Sequence, residues 1–172
     1  MYMLTKPHLY SNIMDYDFDH GYQVDRGLAF RDKLMTNNLG WTDDFTDLVI
    51  QEYKKFMYLC MVYSSTAPSD AIDQVWHQHI LYTKDYHQFC LNMVKKPIHH
   101  NPDRVKHSSS LTYGITLINY ENEFGFPPPK EVWSVPPADY KRVDLTRNYV
   151  VPTGSLMSLV KAFFIELQTK FV

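Results

Sequence analysis

A chain of 172 residues with a net charge of −2 and a pI near 6.4 has room for one ordinary domain, and it lacks the run of Lys and Arg that a nucleic-acid surface requires. Its apolar fraction of 45% and aromatic fraction of 15% exclude a disordered polymer. No apolar run reaches the roughly eighteen residues of a membrane span and the N-terminus has no signal-peptide core, so a cytoplasmic protein without a transmembrane segment is expected.

Residues 1–27 are aromatic and acidic with no sustained period, which predicts an irregular arm with at most a short strand. A short helix is expected from Leu28 to Thr36, broken by Asn37, Asn38 and Gly40. Thr42 is a suitable N-cap, with Asp43 and Asp44 well placed against the helix dipole. Phe45, Leu48, Val49, Glu52, Tyr53, Phe56, Leu59, Cys60 and Tyr63 then follow at spacings of three and four, a long helix that ends at Ser64–Pro68. Asp47, Lys54 and Lys55 fall off that stripe and are expected on the polar side.

Ser69 is placed to cap a second long helix, in which Ile72, Val75, Trp76, His79, Ile80 and Thr83 share a face. A joint near Thr83 or Lys84 leads into a helix to Val94, with Tyr86, Phe89, Cys90 and Met93 on one side. Pro97 ends it, and Pro102 keeps His99-His100-Asn101 extended. After a polar loop over 103–110, Leu111–Phe124 reads as a further helix stopped by Gly125. The stiff Phe126–Trp133 segment carries aromatic ends that favour packing on the body over partner binding. Tyr53, Tyr86, Trp41, Trp76 and Trp133 are expected in the core rather than around a ligand.

The chain thus divides into an arm (1–27), a helical domain (28–135), a proline-containing connector (136–154, with a strand suggested over 148–151) and an amphipathic C-terminal helix (155–172). The fold class expected is all-α: a single-domain bundle of four to six helices with irregular, proline-rich connections. The last helix is expected to pack on its own domain, to self-associate or to meet a protein partner.

Six of the eight histidines (His77, His79, His87, His99, His100 and His107) fall within one short stretch. On a regular helix His77 and His79 point about 200° apart, so they cannot both ligate one ion. The His-x-x-x-His spacing of zinc proteases is absent. Asp73 and His77 stand one turn apart and can hydrogen-bond. A metal site can be assembled from His77 or His79, Cys90, and one of His99 and His100, with Asp73 as a further ligand or orienter; imidazole and thiolate suit zinc. The alternative is a packed polar core in which His79 bonds a carbonyl and Cys90 is a small hydrophobe, and a third reading is a Cys–His dyad at Cys90. Cys60 and Cys90 have no CxxC spacing, and a reducing compartment is the default.

Gly40-Trp41, Glu52–Phe56, the run Ile72–Thr83 with Trp76-His77-Gln78-His79, Tyr86, Phe89-Cys90 and His99-His100-Asn101-Pro102 together resemble the glycine-rich domain-containing protein-like family of plants and many bacteria. Tyr113–Tyr120, Phe124–Pro129 and Val132-Trp133 are similar to its bacterial members, so the resemblance spans residues 34–135. It implies no defined activity, and with only six glycines the chain lacks the glycine-rich tail of plant members. Two functions follow as expectations: a binding or scaffold domain holding a structural zinc, or a metal-dependent enzyme using the His/Cys cluster.

Overall fold

The computed structural model describes residues 4–19, 29–93, 97–100 and 111–134. Among them are six helices and no strand: α1 (Pro7–Met14), α2 (Phe30–Asn37), α3 (Asp43–Val62), α4 (Asp70–Leu81), α5 (Thr83–Met93) and α6 (Leu111–Phe124). The fold is all-α. The connector 136–154 with its suggested strand, the C-terminal helix over 155–172 and the 103–110 loop lie outside the described residues.

α3 is the axis of the fold. Val49, Tyr53, Phe56, Met57, Tyr58 and Leu59 are fully buried, because α1, α2, α4 and α6 all pack on this helix. The Thr42 hydroxyl accepts from the Phe45 amide at 3.2 Å and caps its start. Ser69 does the same for α4 through the Ile72 amide, also at 3.2 Å. α4 breaks at Tyr82, whose ψ of 62° leaves the helical region, and α5 folds back against it. Gly125 ends α6 with φ +78°, where a side chain would be strained, and its amide donates to the Glu121 carbonyl.

Two expectations are corrected. The N-terminal arm is not wholly irregular, since α1 occupies Pro7–Met14. An eight-residue helix is too short to stand alone in water, and this one is held by its surroundings. Ile13 is fully buried, Tyr10 packs edge-on to Tyr58, and Thr5 bonds the Glu123 carboxylate through its amide (2.9 Å) and hydroxyl (2.6 Å). Burial alone would raise the pKa of Glu123, but the donors of Thr5, Tyr58 and Tyr63 outweigh it and hold the carboxyl below its usual range.

Lys54 and Lys55 are not on a solvated face either. Lys54 is buried, donates to the Met14 carbonyl at 2.8 Å and lies over the Phe18 ring. Lys55 pairs with the buried Glu52 carboxylate at 2.7 Å and sits among the rings of Tyr120, Phe124 and Phe126. The second oxygen of Glu52 accepts from the Trp133 indole at 2.8 Å. This bond, with Val132 and Trp133 buried, seats the proline-led segment on the body as the aromatic ends suggested.

Candidate metal centre

The histidines of α4 separate onto two faces. His79 is fully buried, ringed by Tyr16, Phe18, Phe30, Tyr53, Tyr86 and Phe89. Its Nε2 lies 2.8 Å from an Asp85 oxygen, which can only accept. Nε2 therefore carries the proton, and Nδ1 accepts from the Tyr53 hydroxyl at 2.7 Å. Asp85 also accepts from the Tyr16 hydroxyl at 2.7 Å. Burial lowers the pKa of His79 against the opposing pull of Asp85, and burial likewise holds Tyr53 and Tyr16 far above the usual phenol range. The imidazole is neutral and both its nitrogens are used, so His79 has no lone pair left for an ion. This is close to the packed polar core that the sequence allows, with side-chain partners in place of a carbonyl.

His77 faces outward with its side chain 47% exposed. Its Nδ1 donates to the Asp73 carbonyl at 2.7 Å and stands 3.2 Å from the Asp73 carboxylate. That bond fixes the tautomer and leaves Nε2 with its lone pair. From the 97–100 segment, which has no regular secondary structure, the His100 side chain turns inward, 6% exposed, with Nε2 2.7 Å from the other Asp73 oxygen. Its ring lies 4.5 Å from that of His77 and 4.4 Å from that of Trp76. His99, its neighbour in the chain, is exposed.

Asp73, His77 and His100 thus bring one ligand atom each to within 4.8 Å of one another. A tetrahedral shell with bonds of about 2.0–2.1 Å needs ligand atoms about 3.4 Å apart. Reaching that spacing requires the 2.7 Å contact between His100 and Asp73 to open and the widest of the three separations to close. An ion entering here would replace the proton that His100 Nε2 shares with Asp73. Cys90, buried on α5, belongs to no such group among the described residues; burial raises its pKa, and it sits beside the Tyr86 hydroxyl and the Ile98 backbone. Its unreactive setting weighs against a Cys–His dyad.

Of the residues singled out from the sequence, the fold gathers Asp73, His77 and His100 and sets His79, Cys90 and His99 apart from them. The partners of His79 carried no such signal. Asp85 lies six residues on, a spacing that meets on no single helix and closes only through the break at Tyr82. Tyr53 and Tyr16 come from other helices and segments altogether.

The model of the UCP032817-like family matches residues 16–116. The chain belongs to the UCP032817-like family. This corrects the resemblance to the glycine-rich domain-containing protein-like family: of the stretch 34–135 that carried it, residues 34–116 lie inside the UCP032817-like match. The UCP032817-like description names no activity, and the match covers α2 to α5 and both histidine clusters, beginning at Tyr16 of the His79 network. No curated protein and no solved structure matches the chain.

Proposed function

We propose that this UCP032817-like protein is a helical binding domain that takes up one divalent transition-metal ion, zinc by its ligand chemistry, through Asp73, His77 and His100. The convergence of those three side chains supports the reading. Two imidazoles and a carboxylate suit zinc, and the Asp73 carbonyl bond orients His77 for it. The site lies on one wall of α4, so the ion ties the 97–100 segment to that helix.

A second reading, a zinc-dependent hydrolytic enzyme, is favoured by the exposure of His77. Three protein ligands beside solvent leave a position where bound water is activated, whereas structural zinc sites close with four. The domain is placed in the cytoplasm on this proposal, in keeping with two unpaired cysteines. Among the described residues no helix is long and apolar enough to cross a membrane. Self-association or a protein partner through residues 155–172 is part of the same proposal, and sedimentation of the chain with and without them tests it.

Elemental analysis of untagged protein purified without chelator is the direct test. About one zinc per chain is expected, retained in Cys90→Ala and lost in His77→Ala and His100→Ala, as a three-ligand site requires. Zinc at a hundredfold excess over its Kd should stabilise the fold by about 2.7 kcal/mol in urea titrations. Absence of stoichiometric metal, or full retention in both histidine variants, would sink the proposal.

A further inference from the structure

The 97–100 segment lies in no helix, so the position of the His100 imidazole depends on what anchors the chain just before it. One anchor is Tyr86, on the first turn of α5, beside a hydrogen bond between the Ile98 backbone and Cys90. The Tyr86 hydroxyl donates to the Ile98 carbonyl at 2.5 Å, two residues before His100, and accepts from the Trp76 indole at 3.1 Å. Trp76 in turn stands edge-on to His100 with ring centroids 4.4 Å apart. One hydroxyl therefore fixes both the backbone that carries His100 and the indole wall that its ring rests on. Resting on the metal-binding reading, we propose that Tyr86 is a positioning residue for that centre, setting its affinity and geometry by holding Ile98 and Trp76.

The arrangement suits the role. Burial raises the Tyr86 pKa, so the hydroxyl keeps its proton and its directionality. Its ring packs perpendicular to His79, 5.0 Å between centroids, so its own place is set by the core rather than by the ion. Groups that orient metal ligands from behind typically change affinity by about ten- to a hundredfold when removed.

Tyr86→Phe keeps the ring and deletes only the hydroxyl. Trp76→Phe keeps an aromatic wall and deletes the indole donor, which guards against a failure of the first variant to fold. Zinc affinity is read by competition with a chromophoric chelator, and coordination geometry by the visible absorption of the cobalt(II) form. The expected result is a loss of about tenfold in zinc affinity for Tyr86→Phe and a cobalt band displaced from wild type. Should Tyr86→Phe lower only the melting temperature, with zinc affinity and cobalt band as in wild type, the positioning role is overturned while the metal centre stands. Should wild type itself bind neither zinc nor cobalt, both readings fall together.

Discussion

His79 is fully buried in the helical core, and its neutral form is what the fold stabilises. Its folded pKa lies below the unfolded value of 6.5, so around and below that pH the unfolded chain binds more protons than the native one. Its contribution is complete above about pH 6.5 and is lost as pH falls from there through the lower folded value. Urea midpoints between pH 7.5 and 5.5, measured with chelator present, should fall with acidification, and His79→Gln should flatten that slope. Tyr53→Phe leaves Nδ1 buried without its donor and should cost about 1–3 kcal/mol at neutral pH. A loss below a few tenths would show that the Tyr53–His79 bond contributes little.

At the scale of the element, α4 shows how much one helix can sort. The turn of about 3.6 residues puts Asp73 and His77 on one face and sends His79 to the other. This part of the site was legible from spacing alone. Its start rests on Ser69, fully buried, whose hydroxyl satisfies the Ile72 amide. Ser69→Ala should therefore destabilise by about 1 kcal/mol with an unchanged m-value in urea, and Ser69→Asn by less. The turn before α3 is set by Gly40 at φ +99°, where an added Cβ would meet nothing within 4 Å, so backbone strain there acts without any clash.

For the whole molecule the N-terminal segment decides the most. Its sequence pattern predicts an irregular arm, yet Ile13 and Phe18 are part of the core. Lys6 reaches the Met61 carbonyl, and Lys54 reaches back to Met14, so polar ties clamp α1 to α3 from both sides. Ile13→Ala should cost about 2–4 kcal/mol, the value of a core position, where a loose arm would register almost nothing. Circular dichroism with urea titration distinguishes the two. Glu123 extends the same clamp to α6, which is why a carboxylate otherwise costly to bury is kept charged there.

The amino-acid order alone determined the all-α class, the spans of α3 and α6, the caps at Thr42 and Ser69 and the opposition of His77 to His79. Each follows from local periodicity and hydrogen bonding within a turn or two. Only the tertiary structure decided that His100 joins Asp73 and His77 while Cys90 stays apart, that Asp85 and Tyr53 close on His79, and that Lys54, Lys55 and α1 are covered. Those pairings join residues far apart in the chain, or across the break at Tyr82. They depend on how helices cross and on which charges find partners as they are buried, which no pattern within a single helix encodes.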